Sequence, residues 1–504
     1  MARMRVRTSE VETLHDPLQG RQVLECGDGV FTVTALALAV LETPKSATNT
    51  ATPPQSGDSA DSVAAVQDAQ APTQKHEARA QFEAFSSFAA PGANGSIAAA
   101  GPSSDSSPWL RRGPCVLFCK RSQMRTIYFD YNSTTPLDPQ VRDAMLPFLG
   151  DLYGNPSSIH HVGRKARAIL DEAHERVARV WQCRPSEVVF TSGGTESNNL
   201  AVFGVARLLR SRGRHLITTW VEHHSVLHCF ERLGELEGFD ITYLPVDRAG
   251  RVDPGDLLKS IRADTIFVSV MAANNEVGTL QPVAEIGSLC RARGIVFHTD
   301  AAQWLGKQAF TSIHQFNADL VSACAHKFHG PKGSGALFIR SPLQPRPLIL
   351  GGGHENERRA GTENLAAIIG FTEATERFVT TPVFPSERLL SLRQPLIHLC
   401  ETLAGVVLCT PRQSSLANTL AFTAEGCDSL SLLAALDLAG ICASSGSACS
   451  AGSLETSHVL LAMGVEPALA KTLIRFSLGR ENTAAEVAHV VSVLPAIIQQ
   501  IRSS

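Results

Sequence analysis

Apolar residues recur with helical spacing in two long stretches of the chain. After Arg164, one stripe holds Ala166, Ile169, Leu170, Ala173, Val177, Val180 and Trp181. Near the end of the chain, interrupted only by Pro495, a second stripe holds Val487, Val490, Val491, Leu494, Ile497, Ile498 and Ile501. A stripe of this period is typical of a helix whose apolar face packs against a core. Both stretches are therefore predicted to be packing helices.

Short apolar runs alternate with helical patterns through the middle of the chain. The runs and the helices that follow them are Val188–Thr191 with a helix from Thr195, His215–Thr219 with a helix from Ser225, and Thr265–Met271 with a helix near Val283–Arg293. Strands that alternate with helices form a mostly parallel sheet with helices on both faces. The chain is therefore predicted to have an α/β fold.

Two further apolar runs end in residues that carry chemistry. The run Ile295–Phe297 leads to Asp300, and the run Leu320–Ala325 leads to Lys327. Because parallel strands end at the same edge of a sheet, we expect the acid and the lysine to converge. A structural ion pair or a solvated lysine is one interpretation. The other is a pyridoxal phosphate (PLP) site, in which the lysine forms a Schiff base and the acid pairs with the pyridinium nitrogen.

The character of the chain changes abruptly at Met124. Residues 43–107 are rich in Ala, Ser, Thr, Pro, Gln and Gly and have few bulky apolar residues, which predicts disorder. We expect residues 1–123 to be a low-complexity extension, 124–380 a large domain, and 381–504 a smaller α+β domain on which the segment 124–150 packs. Met124 is a candidate start of the folded unit, a hypothesis that the activity of a chain beginning there would test.

Composition excludes several classes of protein. The 504 residues are 44% hydrophobic and 18% charged with a net charge of -3, and no aromatic and basic stripe occurs, so neither nucleic acid nor an anionic membrane is an expected partner. The apolar stretch Gly29–Leu41 is shorter than the roughly 20 residues that span a bilayer.

Twelve cysteines without CxxC pairs favour a reducing compartment. We expect a cytoplasmic protein, with an organelle-targeting peptide in the basic opening MARMRVR as the alternative.

A glycine pair stands between a predicted strand and a predicted helix. Gly193 and Gly194 precede Thr195 within FTSGGTESNNL, where glycines allow backbone N–H groups to approach an anion at a helix N-terminus. We interpret this turn as a phosphate cup. An ordinary turn with Thr195 as the N-cap is the alternative, and the spacing does not match a nucleotide P-loop.

Imidazole and amide side chains follow other predicted strands. His223, after the strand that ends near Thr219, is placed to stack on a flat cofactor ring or to move protons. Asn275 is placed to reach a cofactor hydroxyl, with a helix-capping asparagine as the alternative. His224 and His228 have the helical spacing of a metal pair, but HExxH and a third ligand are missing, so we expect no metal site.

The final third of the chain contains a thiol and an arginine in unusual surroundings. Cys449 lies in SSGSACSAGS, whose small residues predict an exposed, freely moving nucleophile rather than an inert buried thiol. Arg475 stands in the apolar run Leu473–Leu478, where a bidentate clamp on a carboxylate explains it better than a surface arginine does.

Nine motifs in one order closely resemble the cysteine desulfurase family, from about Thr126 to the C-terminus. They are DYNSTTP, GNPSS, TSGGTESNN, VEHHSV, NNEVG, HTDAAQ, AHKFHGPKGSGAL, GGGHENERRAGTEN and SSGSACSAGSLETSHVL. The resemblance implies a fold-type I PLP-dependent transferase, in which a large domain with a mostly parallel seven-stranded sheet is joined to a smaller α+β domain. It also implies a homodimer.

The resemblance assigns roles to individual residues. It makes Lys327 the Schiff-base lysine, Asp300 the partner of the pyridinium nitrogen, and His223 the ring-stacking histidine and proton shuttle. The other implied cofactor contacts are Gly194, Thr195, Asn275, Gln303, Cys324, His326 and Thr362, the last toward the phosphate of a neighbouring subunit. Arg475 matches the arginine that binds the substrate carboxylate, and Cys449 matches the nucleophile that forms a persulfide.

One position departs from the family pattern. Many relatives have Ser-Gly-His-Lys or Ser-Ala-His-Lys where this chain has Cys324-Ala325-His326-Lys327. A thiol is a poorer hydrogen-bond donor than a hydroxyl, so slightly weaker retention of PLP is expected. The segment Thr380–Ser415 also diverges.

The implied activity is removal of sulfur from L-cysteine, which gives L-alanine and a persulfide on Cys449. A sulfur-acceptor or iron–sulfur scaffold protein would receive the persulfide, for iron–sulfur cluster assembly or tRNA thiolation. Selenocysteine lyase, a PLP aminotransferase and a catalytically silent sulfur-assembly scaffold are the alternatives. Intact Lys327 and Cys449 disfavour the scaffold.

Overall fold

A computed structural model of the chain describes residues 126–446 and 456–503, together with the backbone of 13–16, 21–26 and 29–33. The chain divides into two compact units, Met1–Gly113 and Pro114–Ser504. In the first unit, strands β1 (Thr13–Asp16), β2 (Arg21–Cys26) and β3 (Gly29–Val33) form an antiparallel sheet. The hydrophobic pattern did not predict these strands. The remainder of the predicted extension 1–123, including 43–107, lies outside the described residues.

The second unit alternates strands and helices. Its strands are β4 (Ile127–Tyr128), β5 (Val188–Thr191), β6 (His215–Thr219), β7 (Asp240–Leu244), β8 (Thr265–Ser269), β9 (Val296–Asp300), β10 (Leu320–Cys324), β11 (Gly335–Ile339), β12 (Val406–Leu408), β13 (Thr419–Ala424), β14 (Ile441–Cys442) and β15 (Ile474–Ser477). Its helices are α1 (Pro139–Met145), α2 (His161–Trp181), α3 (Gly194–Leu209), α4 (His224–Glu237), α5 (Pro254–Ser260), α6 (Val283–Arg291), α7 (Leu365–Phe378), α8 (Ser386–Thr402), α9 (Ser429–Leu438), α10 (His458–Ala462), α11 (Pro467–Ala470) and α12 (Ala484–Arg502). A short helical turn also spans His354–Glu357.

Seven strands form the central sheet in the order β5-β11-β10-β9-β8-β6-β7. Only β11 runs antiparallel to its neighbours, whereas the pairs from β10 to β7 are parallel. The sheet confirms the predicted α/β fold of fold-type I. Because β9 and β10 are adjacent and parallel, with Ser322 opposite Asp300, their carboxyl ends bring Asp300 and the turn Ala325–Lys327 to one edge.

The predicted packing helix after Arg164 is α2. Most of its apolar stripe is buried, and Trp181 meets the ring of Phe371 on α7 edge to face. A polar outer face and a buried inner face are what an amphipathic helix needs to cover a sheet. This packing holds the strand and helix framework beneath the site.

The predicted final helix is α12, which continues through Pro495. It begins with a capping box between Thr483 and Glu486, and its buried stripe includes Val490 and Leu494. Among the described residues it is the one helix long and apolar enough to cross a membrane by length and composition alone. Because its burial is confined to one face, it has the character of a helix packed on a protein core.

A smaller sheet, in the order β12-β13-β15, carries Arg475 on β15. The start of the second unit joins this region, because β4 pairs with β14 in parallel and Asp130 bridges to Ser477. The motif that begins at Asp130 therefore lies between the small sheet and the end of the central sheet. This contact completes the walls of a cavity.

Candidate active site

One cavity of about 180 Å³ lies at the carboxyl ends of the central strands. Ten of the residues singled out from the sequence line it: Gly194, Thr195, His223, Asn275, Asp300, Gln303, Cys324, His326, Lys327 and Arg475. They come from five strand ends and from β15, and are separated by up to several hundred residues in the chain. The fold therefore brings together most of the predicted site.

The N-terminus of α3 forms one wall of this cavity. Gly193 precedes the helix with φ 154° and ψ -177°, a backbone conformation essentially restricted to glycine. No side chain caps the first turn, and Thr195 lines the cavity beside Gly194. Unsatisfied N–H groups and the helix dipole make such an end an anion site.

Asp300 is buried and held by two donors. Asn198 Nδ2 donates to Asp300 Oδ2 at 2.7 Å, and the backbone N–H of Ala302 donates to Oδ1 at 2.9 Å. These bonds fix the carboxylate at the cavity wall. A fixed carboxylate is suited to pairing with a protonated ring nitrogen.

Lys327 enters the cavity from the short turn after β10. Its Nζ donates to the carbonyl oxygens of Asn132 at 2.5 Å and Ser133 at 2.9 Å. Both acceptors belong to the motif that begins at Asp130. The amine is thus held at the cavity by neutral carbonyls.

His223 is an uncharged imidazole in this site. Burial, followed by the nearby charge of Lys327, lowers the pKa of His223 to about 4. Its Nδ1 accepts from the N–H of Ser225 at 3.1 Å, since His223 is the N-cap of α4. The proton of the neutral ring is therefore on Nε2.

Cys324 and His326 flank the turn that carries Lys327. Burial raises the pKa of the Cys324 thiol to about 11, so it is uncharged at neutral pH. Burial and Lys327 lower the pKa of His326 to about 3, and its Nδ1 lies 3.2 Å from Thr134 Oγ1. Both side chains are thus neutral donors or acceptors.

Arg475 is almost fully buried, at 1% exposure. Its guanidinium donates to Asp130 Oδ1 and Ser133 Oγ, each at 2.8 Å. It also donates to the carbonyl oxygens of Asn275, at 2.8 Å, and of Gly446, at 2.5 Å. A guanidinium so held has a fixed direction toward the cavity.

Of the two remaining predicted site residues, the structure places one elsewhere and does not describe the other. Thr362 lines a separate cavity with Ser192 and Arg359. Cys449 lies outside the described residues, which resume at Thr456 after Gly446. Their predicted roles stay predictions.

Several residues that line the site were not predicted from the sequence. Asn132, Ser133 and Ser225 provide polar atoms there, and Asn198 has a buried Oδ1 atom with no partner in the described part of the chain. Asn198 follows Gly194 by one helical turn, so the spacing placed it on the same face of α3. The motif beginning at Asp130 was recognised, but the roles of its members were not.

These residues fit PLP. The uncapped N-terminus of α3 suits its phosphate, the fixed Asp300 carboxylate suits its ring nitrogen, and Lys327 suits its aldehyde. The orphaned Oδ1 of Asn198 marks a cavity wall that a polar group would complete.

Comparisons with known proteins agree with this fit. Residues 127–490 match the Aminotransferase class-V family. A relative named cysteine desulfurase IscS from Dictyoglomus turgidum is 47% identical over 383 residues, covering 75% of this chain and 96% of that protein. A second protein of that name, from Methanosarcina thermophila, is 43% identical over 383 residues, covering 76% of this chain and 94% of that protein.

Solved structures give the same result. A structure named NifS-like protein superposes with a TM-score of 0.69 at 38% identity, covering 74% of this chain and 100% of that one. A structure described as SspA in complex with cysteine superposes with a TM-score of 0.63 at 34% identity, covering 71% of this chain and 100% of that one. The similarity thus spans the part of the chain that forms the cavity.

Proposed function

The chain belongs to the aminotransferase class-V family and is a PLP-dependent cysteine desulfurase, and we propose that Cys449 takes the sulfur of L-cysteine and passes it to an acceptor protein. The observation that carries the proposal is the convergence of Lys327, Asp300, His223 and Arg475 on one cavity. When bound there, PLP supplies an electron sink for the substrate.

Each residue of the site has a role that follows from the chemistry of its side chain. Arg475 binds the substrate carboxylate, because a buried guanidinium is a planar donor for two oxygens. Lys327 and the neutral His223 move protons, His223 through Nε2. Asp300 would hold the protonated ring nitrogen of bound PLP. Uncharged Cys324 and His326, which line the cavity, would contact its phosphate.

The sulfur step uses the thiolate of Cys449 as the nucleophile. A bond forms between its sulfur and the sulfur of L-cysteine, and the substrate carbon–sulfur bond breaks. The carbon keeps the electron pair and takes a proton, so L-cysteine and the enzyme thiol become L-alanine and an enzyme persulfide. Atoms and electrons balance without another oxidant or reductant.

The acceptor is proposed to be a sulfur-acceptor or iron–sulfur scaffold protein. Relatives named IscS support iron–sulfur cluster assembly as the destination, with tRNA thiolation as the other destination. We propose a cytoplasmic location. Every cysteine in the described part of the chain is free, which suits a reducing compartment.

A homodimer is also proposed. Ile159 and Leu350 are exposed at 90% and 80%, and their segments meet where Ser157 Oγ lies 3.3 Å from His354 Nε2. Large exposed apolar side chains of this kind favour an interface. Thr362, which does not line the active-site cavity of its own chain, would then serve the phosphate of the neighbouring subunit. Light scattering of Ile159→Glu and Leu350→Glu tests this, and an unchanged dimer in both would contradict the assigned surface.

The function is tested with ³⁵S-labelled L-cysteine and purified protein. We expect PLP absorbance, release of alanine, and label on the wild type and on Cys442→Ala, the matched cysteine control. Cys449→Ala should keep the absorbance and take up no transferable label. Turnover retained by Cys449→Ala would overturn the mechanism, and preferred turnover of selenocysteine would favour a selenocysteine lyase.

The destination of the sulfur needs a separate assay. Label should move from the wild-type protein to a scaffold protein with free thiols, and not from Cys449→Ala. Label that remains on the enzyme with every scaffold tested, while alanine is released, would contradict the acceptor proposal and leave the desulfurase activity in place.

A further inference from the structure

A second lysine lies buried behind the cavity wall. Lys307 is 2% exposed, and the described part of the chain gives it no ion pair. Its Nζ donates to Asn132 Oδ1 at 2.6 Å and to Gln303 Oε1 at 2.5 Å, and lies 5.1 Å from the centre of the Phe384 ring. Burying an amine without a carboxylate partner costs free energy of folding. The role of a lysine kept at this position, with two amide oxygens as its acceptors, therefore needs an explanation.

The amine of Lys307 determines which atom of each neighbouring side-chain amide faces it. Since a lysine supplies N–H donors, the group of Gln303 that faces it is the oxygen. The Nε2 atom of Gln303 must then lie on the opposite side, where one N–H donates to the carbonyl oxygen of Asn132 at 2.9 Å. The second N–H of this amide remains for the cavity that Gln303 lines.

The same carbonyl connects this network to the catalytic lysine. The Asn132 carbonyl oxygen accepts from both Gln303 Nε2 and Lys327 Nζ. The Asn132 side chain is fixed as well, because its Oδ1 accepts from Lys307 and from Asn418 Nδ2 at 3.0 Å, and its Nδ2 donates to Thr419 Oγ1 at 2.9 Å. Lys307 thus anchors both amides from behind.

The electrostatic surroundings of Lys307 agree with this arrangement. Burial, followed by the nearby charges of Lys327 and Arg475, lowers the pKa of Lys307 well below its ordinary value. Both acceptors of its Nζ, Asn132 Oδ1 and Gln303 Oε1, are neutral amide oxygens.

We propose that Lys307 is a positioning residue for the cofactor: it orients the amides of Gln303 and Asn132 so that Gln303 presents an N–H, rather than its oxygen, to bound PLP. The inference rests on PLP binding by this site. It is independent of the acceptor of the sulfur. Without Lys307, Gln303 Oε1 loses its donor and the Asn132 carbonyl alone directs the amide, so an oxygen would face the cofactor in part of the molecules.

A double-mutant cycle on the holoenzyme tests the proposal. Wild type, Lys307→Met, Gln303→Ala and the double variant are compared by PLP dissociation and by the pH midpoint of the absorbance of bound PLP. Lys307→Met should weaken PLP binding about tenfold and move the midpoint upward, since an N–H aimed at the cofactor opposes retention of a proton there. Lys259→Met, which removes an exposed lysine, is the matched control and should change neither.

The double variant tests whether Lys307 acts through Gln303. If Lys307 acts through Gln303, Lys307→Met should add no further loss or shift when Gln303 is already alanine. Additive effects, or a Lys307→Met protein with wild-type affinity and midpoint, would overturn the proposal. If Lys307→Met does not fold, Lys307→Gln, which keeps a polar group at the buried position, enters the same cycle. A wild-type protein that takes up no PLP would instead contradict the family's activity.

Discussion

Arg475 and Asp130 form a buried ion pair at the edge of the cavity, with Nη2 of the arginine 2.8 Å from Oδ1 of the aspartate. The side chain of Arg475 is 2% exposed and that of Asp130 is 18% exposed. The Nη atoms of Arg475 already have four acceptors, and its Nε has no partner among the described residues. A substrate carboxylate therefore uses the planar fork only by displacing an acceptor from Nη1 or Nη2, on an arginine that the remaining contacts hold in place.

The first prediction concerns this arginine. Arg475→Lys should raise the KM for L-cysteine about tenfold or more, ~1.4 kcal/mol, because a lysine lacks the planar fork that binds two carboxylate oxygens. The absorbance of PLP should be retained. Steady-state kinetics measure the change, with Arg480→Lys, at a partly exposed position outside the cavity, as the control. An unchanged KM would exclude Arg475 as the carboxylate site.

The second prediction concerns Asn198, the donor to Asp300. Asn198→Ala leaves the carboxylate with one fewer donor and should lower kcat about tenfold, since the ring nitrogen loses an oriented partner. Asn199→Ala is the matched control, because the Asn199 side chain bonds the carbonyl of Thr195 instead. Equal losses of activity in the two variants would show that the effect is not specific to the Asp300 contact.

Asp300 and Asn198 show how much of the site could be predicted from the sequence. The strand ends that carry Asp300 and Lys327 were predictable, because short apolar runs separated by helices indicate a parallel sheet whose ends share an edge. The contact of Asn198 with Asp300 was not predictable, because it depends on the rotation of α3 over the sheet. Lys307 was missed for a related reason: a charged residue carries no signal of burial, and only the packed structure shows the acceptors that hold it.

The third prediction concerns the departure at Cys324. The thiol is buried beside Gly194 at the N-terminus of α3 and, with its pKa raised to about 11, stays uncharged at neutral pH. It therefore does not repel an anion, but it donates weakly. Cys324→Ser should tighten PLP binding by about two- to tenfold, the range of one neutral hydrogen bond. Equilibrium dialysis measures this constant, with Cys442→Ser as a control, and unchanged affinity would contradict the idea.

The last prediction concerns Glu222, which is fully buried beneath the site. Its Oε1 accepts from the N–H of Met271 at 2.8 Å and from Thr219 Oγ1 at 3.0 Å, whereas no described residue partners its Oε2. Burial, reinforced by the charge of Asp300, raises the pKa of Glu222 to about 8. The folded protein thus holds a proton that the unfolded chain releases above about pH 4.5.

Stability should therefore fall as pH rises from about 4.5 to about 8, by up to ~1.4 kcal/mol per unit for this group. Glu222→Gln keeps the acceptor for both donors and cannot lose a proton, so it should remove this slope and be more stable than wild type at pH 8. Urea unfolding at pH 5 and pH 8 measures the difference between the two proteins, which cancels the titration of the other groups. Glu235→Gln, at an exposed position, should reproduce the wild-type slope. A Glu222→Gln protein that is equally destabilised at both pH values would show that the carboxylate is charged in the fold.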